Sequence, residues 1–179
     1  MVESPRLRVS AACTSSRWWL VVAIVMGWLS LANAQQLLDR VVARVGTSAI
    51  TQTDVDAAVA FGIVERRAGA EVSDPISQVI ERRLILDEVR RFPPPEPSEA
   101  AIAELVAKMR ALAGADAAAV MKRTGVDDQR LAELARDTLR IQGYIQQRFG
   151  SGARAEQQMA RWLADLRDRG DVTVLSSRP

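Results

Sequence analysis

Apolar positions along the chain change period several times. Trp18 to Leu31 is an almost continuous apolar run. From Leu37 the pattern is that of a strand: Leu38, Val41, Val42 and Val45 are apolar and mostly β-branched. This strand reads as apolar on both faces. Gly46, Thr47 and Ser48 supply a turn, with Gly46 able to take the positive φ of a tight reversal. Ala49 and Ile50 allow a short return strand. Thr51, with Asp54 three residues on, then has the form of a capping box, and the Asp also suits the positive end of a helix dipole. A first helix is expected over Gln52 to Arg67.

Ala68-Gly69-Ala70 breaks that helix. Ser73 and Asp74 precede Pro75, which suits the first position of a second helix running to about Arg91. Its stripe of Ile76, Val79, Ile80, Leu84, Ile85, Leu86 and Val89 is too wide for a surface helix, so this helix is expected to be central. Phe92-Pro93-Pro94-Pro95-Glu96-Pro97 ends it and imposes an extended connector. A proline string can also be a ligand for another domain, but Ser98 and Glu99 mark a helix start that needs a stiff lead-in.

A third helix, Ser98 to Leu112, places Ile102, Leu105, Val106, Met109 and Leu112 on one face, and Gly114 ends it. Asp116 to Arg123 forms a short helix. Thr124 to Asp127 is a turn in which Asp127 is the N-cap. A long helix follows from Asp128 to Phe149, carrying Leu131, Leu134, Leu139, Ile141, Tyr144, Ile145 and Phe149. After Gly150-Ser151-Gly152 comes a last helix, Arg154 to Arg169, with Met159, Trp162, Leu163 and Leu166 on one stripe. Asp171 to Leu175 closes the chain's pattern as a strand. Val172 to Leu175 is expected to pair with Leu38 to Val45, and the Trp162 helix to pack on the second helix. Proline at Val174 is expected to remove a ladder hydrogen bond.

Residues 1–34 have the pattern of a secretory leader. Arg6, Arg8 and Arg17 precede the apolar run, and Ala32-Asn33-Ala34 is a small-x-small site predicting cleavage between Ala34 and Gln35. The run is shorter than the ~20 apolar residues that span a bilayer comfortably. The alternative is an uncleaved anchor in the inner membrane facing the periplasm, with Trp18 and Trp19 at the interface. Cys13 stands before the run, which is not the place of a lipid-bearing cysteine. Residues 35–179 are then one domain, a core at 35–150 completed by a helix and strand at 151–179.

Composition then narrows the chemistry. The chain has 24 basic and 22 acidic residues, and the leader holds three Arg and one Glu, so the remainder is close to neutral and has no nucleic-acid footprint. The single Cys and three of the four Trp also lie in the leader, and there is no His. The usual zinc sites and the Ser-His and Cys-His nucleophile pairs therefore cannot be built from residues 35–179. Carboxylates are plentiful but stand beside Arg at helical spacing: Glu81-Arg82, Asp87-Arg91, Glu133-Arg136-Asp137 and Asp165-Arg169. Such pairs decorate solvated helix faces and add only a few tenths of a kcal/mol each. No Gly-rich phosphate loop is present. The reading is of a protein that is not an enzyme and needs no cofactor or metal.

Asp39 to Val45 followed by Ile50 to Val55 resembles the opening of the SurA N-terminal domain family of periplasmic chaperones: an extended D-R-V-V-A-x-V segment, a turn, and an I-T-x-x-D-V helix start. The likeness continues through Ile80-Glu81-Arg82-Arg83-Leu84-Ile85, Ser98 with Ile102, Gly125, Leu131, Ala135-Arg136, Leu139-Arg140-Ile141-Gln142 and Arg148-Phe149. Gln142-Gly143 departs from it, since glycine is poor in a helix interior. The larger departure is at Gly150-Ser151-Gly152. Family members with prolyl isomerase activity insert parvulin-type domains there, whereas this chain passes directly to the helix and strand that complete the N-terminal domain.

The resemblance implies a mostly α fold, a SurA- and trigger-factor-like peptide-binding helical domain with a small β-sheet made by the N-terminal hairpin and the C-terminal strand. It implies an ATP-independent periplasmic holdase whose partners are unfolded or extended polypeptides, outer-membrane proteins among them. A small helical domain that leaves apolar surface rimmed by charge offers such segments a groove. The candidate contact residues are Ile102, Leu105, Met109 and Met121, each competing with a role in the core. The alternative is a non-catalytic scaffold subunit of an envelope complex. A prolyl isomerase is disfavoured, because the parvulin domain and its histidines are missing.

Overall fold

In a computed structural model, residues 39–65 and 74–175 are described. The leader, the Ala34–Gln35 position, Leu38, the break at 68–70 and Ser73 lie outside them.

Strands β1 (Val41–Val45) and β2 (Ser48–Thr51) form the hairpin, antiparallel, with Val45 opposite Ser48. Gly46 takes φ 55° at the turn, where a side chain would be strained. The pairing shifts register between Val41 and Ala43, so consecutive residues Val42 and Ala43 are both buried. Arg44 is exposed and Val41 partly so. The expectation of a strand apolar on both faces is thus corrected: one side reaches solvent.

Helix α1 (Gln52–Ala60) starts from the expected capping box. Thr51 Oγ1 accepts from Asp54 N at 3.2 Å, and Asp54 accepts from Thr51 N at 3.0 Å. The start is more completely tied than the motif implied. Gln52 N donates to Arg40 O at 2.8 Å and Thr53 N to Asp39 Oδ1 at 3.2 Å. The first three N–H groups of the helix, which have no intrahelical partner, are therefore all satisfied, two by the chain leading into β1.

The helix stops at Ala60, well before the expected Arg67. Gly62 N donates to Val59 O and Ile63 N to Ala58 O at 2.8 Å, the paired bonds of a Schellman C-cap, with Gly62 at φ 66°. Gly62 is also crowded: a Cβ there would lie 2.5 Å from Leu112 Cδ1.

The remaining helices are α2 (Pro75–Arg91), α3 (Glu99–Ala113), α4 (Ala117–Thr124), α5 (Asp128–Phe149) and α6 (Ala153–Arg169), with a short 3₁₀ turn at Gly114–Asp116. Strand β3 (Val172–Val174) pairs antiparallel with β1, giving the order β2–β1–β3. The fold is mostly helical with a small three-stranded antiparallel sheet. α2 is central, packing against β1, α1, α5 and α6.

β3 is an edge strand, and its register corrects one expectation. Leu175 N donates to Val42 O at 2.9 Å and Gly46 N to Asp171 O at 2.8 Å. Hydrogen-bonded pairs alternate, so Arg44–Thr173 belongs to that class and Ala43–Val174 does not. The Val174 N–H faces the open edge, and proline there removes no ladder bond.

Two apolar cores share α5. The first joins the sheet, α2, the C-terminal half of α5 and α6, through Val42, Ile80, Leu84, Tyr144 and Trp162. The second joins the end of α1, α3, α4 and the N-terminal half of α5, through Phe61, Ile102, Met109, Leu131 and Ala135. α5 is long enough, at ~1.5 Å per residue, to serve both. Trp162 sits 5.3 Å from the Phe149 ring and 5.9 Å from Tyr144 between centroids. The Arg148 guanidinium lies 5.4 Å from the Trp162 ring and donates to Tyr144 Oη at 3.0 Å.

The proline connector is fixed on α5. Pro94 is buried and lies against Gly143, where a Cβ would be 3.6 Å from the Pro94 ring. Glu96 pairs with Arg140 at 2.6 Å and Arg136 at 3.4 Å. The departure at Gly143 is thus the place where the connector crosses.

Candidate functional site

A cleft of about 520 Å³ opens between the two cores, within the ~300–1,000 Å³ range of ligand sites. Each element contributes for a local reason. The capping box sets the direction of α1, whose Ala57 and Ala58 are small and leave room. β2 adds Ile50, and the chain after the Schellman cap adds Ile63. The left-handed Gly125 turns α4 into α5 and places Val126 at the margin. Thr124, buried, satisfies its hydroxyl on Val120 O at 2.8 Å.

α2 gives the cleft its charge. Val79, Arg82, Arg83, Leu86 and Arg90 recur at helical spacing and all line it. α5 faces them with Arg130, Leu134 and Asp137. The four arginines outnumber the two lining carboxylates, Asp54 and Asp137, and Asp54 is engaged in the α1 cap.

Arg82 is the most perturbed of these groups. Its Nη2 donates to Leu134 O at 3.1 Å. Burial pushes its pKa down to about 10, with Asp137 raising it and the like charge of Arg130 lowering it. It stays charged at neutral pH. Arg83 donates through Nη2 to Ser48 Oγ. Its Nε is buried with no hydrogen-bond partner among the described residues and stands 4.0 Å from Asp87 Oδ1. Arg90 is held by Asp87 at 2.7 Å and Arg130 by Glu133 at 3.0 Å.

The four residues expected from the pattern to touch a client are not in this cleft. Ile102 and Met109 are 3 % and 2 % exposed and belong to the second core, so packing uses them. Leu105 and Met121 are half-buried against the same core. Leu112, expected on the buried face, is 68 % exposed and covers Gly62. The helix face was right, but its last turn extends past the core.

The ion pairs also differ from those read off the spacing. Glu81 pairs not with Arg82 but with Arg167 of α6 at 2.9 Å. Asp87 pairs with Arg90, and Arg91 with Glu88 at 2.9 Å. Arg136 reaches Glu99 at 3.0 Å, and Arg169 donates to the Asp165 carbonyl. The missed signal was Arg82-Arg83, Leu86 and Arg90 on one stripe of the central helix. Cations at that spacing on a helix packed from several sides can line a cleft between its neighbours.

Among the described residues, no group of three or more His, Cys, Asp or Glu is placed to hold a metal ion. No described helix is long and apolar enough to cross a membrane. No protein-family pattern and no curated protein matches the chain.

Proposed function

We propose that this protein is an ATP-independent periplasmic chaperone of the SurA N-terminal type, a holdase for unfolded or extended polypeptides such as outer-membrane proteins. The observation that carries the reading is the cleft between the two cores. It combines apolar side chains from β2, α1 and α2 with the guanidinium groups of four arginines. Contacts of this kind read side-chain character more than sequence, so affinity is weak and broad, on the order of micromolar. The leader pattern and the order of motifs from Asp39 to Phe149 support the compartment and the family likeness.

The cleft replaces the α3–α4 face as the contact surface in this reading. Release of a client needs no nucleotide and occurs by handing it on. The test is aggregation of a chemically unfolded β-barrel protein diluted into buffer without ATP. The chain is expected to suppress light scattering at a few-fold molar excess and to leave X–Pro isomerisation of a test peptide at its uncatalysed rate. Unchanged aggregation, with one folded envelope protein captured at fixed stoichiometry, would instead establish the scaffold role.

A further inference from the structure

The sheet ends at β3 in an open edge whose bonding groups follow from the register. Arg44 pairs with Thr173, Gly46 N donates to Asp171 O and Leu175 N donates to Val42 O, so Asp171, Thr173 and Leu175 turn their backbone groups toward β1. Val172 and Val174 turn theirs outward. The Val172 N–H is taken by Gly170 O at 2.9 Å. The Val174 N–H and C=O and the Val172 C=O have no partner among the described residues. Burial falls off toward the same edge. Val45 and Ala43 are buried on the core side of β1; opposite them, Val172 is half-buried and Val174 is 55 % exposed. Val172 and Val174 are two residues apart and share that side. The core side of the sheet thus stops short at β3, with an apolar side chain uncovered beside unpaired backbone. No charge, proline or bulge lies within Val172–Val174 to blunt this edge, and its shortness is its one protection.

Resting on the chaperone reading, we propose that β3 takes an extended client segment as a further, antiparallel strand of the sheet, one in which apolar and polar residues alternate. An antiparallel partner sets one residue opposite Val174, exchanging both bonds with it, and gives another N–H to the Val172 carbonyl. Opposed residues point to the same side of a sheet. The partner residues that make these bonds are therefore the apolar ones, whose side chains cover Val174 and continue the first core. Alternation of this kind is the pattern of a β-barrel strand. A helical segment has its backbone groups already bonded and offers none here. A second copy of the chain is the poorer occupant: β3 has three residues, and a strand pair of that length buries far less than the ~1,200 Å² of a stable interface. Weak, passing contact with an unfolded chain suits so short an edge. The cleft reads side chains, whereas β3 reads unpaired backbone, which an unfolded chain carries and a strand inside a finished sheet does not.

The experiment uses the full chain and fluorescein-labelled nonapeptides, read by fluorescence anisotropy. The parent peptide alternates valine and serine between terminal lysines. N-methylation of its valines is expected to weaken binding about tenfold, and N-methylation of its serines to leave binding within about twofold. Val174→Pro removes the outward N–H and no bond to β1, and is expected to weaken the parent peptide about fivefold. Val174→Lys places a charge on the edge at an exposed position and leaves the backbone donor in place. It is expected to weaken the peptide similarly, and it decides the matter if the proline opens the sheet. Equal loss from the two methylations, a larger loss from methylated serines, or unchanged binding to Val174→Lys would overturn the proposal. So would a dimer at micromolar concentration, seen by analytical ultracentrifugation, that Val174→Lys dissociates, since the edge then belongs to a second copy. Absence of peptide binding while client aggregation is still suppressed overturns the strand assignment and leaves the chaperone reading standing. The expected methylation pattern without aggregation suppression upholds the strand assignment and overturns the chaperone reading alone.

Discussion

Gly170 lies directly against Leu84: a Cβ built on the glycine would stand 2.8 Å from Leu84 Cδ2 and 2.9 Å from the Leu166 carbonyl oxygen. The glycine has φ −74°, ordinary extended backbone, so the constraint is space and not conformation. α6 can enter β3 over the central helix only because nothing projects there. Gly170→Ala is expected to destabilise by about 1–3 kcal/mol, since the Leu84 side chain can shift but the Leu166 carbonyl cannot. Chemical denaturation of the variant checks it.

Gly143 is the contrasting case. It sits inside α5, and a Cβ there would meet Pro94 at an ordinary 3.6 Å. Gly143→Ala gains helix propensity without a clash and is expected to stabilise by up to ~1 kcal/mol. A lowered melting temperature would show that the Pro94 contact tolerates no methyl group.

Alternation in the β1–β3 pairing separates two neighbouring prolines. Thr173 belongs to a hydrogen-bonded pair and Val174 does not. Thr173→Pro is expected to unpair β3, with faster amide exchange at Arg44, whereas Val174→Pro on the open edge is expected to keep the sheet. Equal damage by both substitutions would contradict this register.

The segment after Gly150 is part of the first core. Trp162 is 7 % exposed and packs with Tyr144 and Phe149. Trp162→Ala is expected to cost about 3–5 kcal/mol, a large share of the ~5–15 kcal/mol that holds a domain together. Ending the chain at Gly150 removes α6 and β3 and uncovers the β1 edge, so aggregation is expected. A truncated chain with the parent's melting temperature and cooperativity would overturn this account of the core.

Asp39 links stability to pH on the acid side. Slight burial works to raise its pKa, but hydrogen bonds from the Thr51 and Thr53 side chains and from the Thr53 and Arg40 backbone N–H groups outweigh it. They hold the carboxyl below its ordinary 3.8. A pKa depressed in the folded state gives a contribution fully present above the unfolded value and lost as pH falls through the folded one. Asp39→Asn is therefore expected to lower stability at pH 7, and the gap from the parent is expected to narrow as pH falls below 3.8. Parallel stability curves for the two proteins from pH 7 to pH 2 would show that the Asp39–Thr53 contact adds nothing.

Much of the architecture was legible because it is local. Thr51 with Asp54, Pro75, Ser98, Asp127 and the glycines at 46, 114 and 125 act on backbone groups within a few residues, so helix starts and turns can be read directly. The width of the α2 stripe announced a central helix, and an amphipathic helix ending in a valine strand announced a segment returning to the sheet. The early stop of α1 was missed because alanines and a following Glu-Arg-Arg run favour helix, while the Schellman bonds depend on one glycine at position 62.

The sequence by itself determined the order of helices and strands, where the helices start, and which chemistries their residue types exclude. Only the tertiary structure decided what each face meets. Ile102, Leu105 and Met109 lie on one stripe, yet depth in the second core separates the first and last from Leu105. Glu81 stands beside Arg82 in the chain, but α6 brings Arg167 to it and leaves Arg82 to the cleft. Hydrogen bonds along a helix close within four residues and are written in the local sequence. The partner of a long charged side chain is fixed by how helices far apart in the chain pack, and no window of residues contains that information.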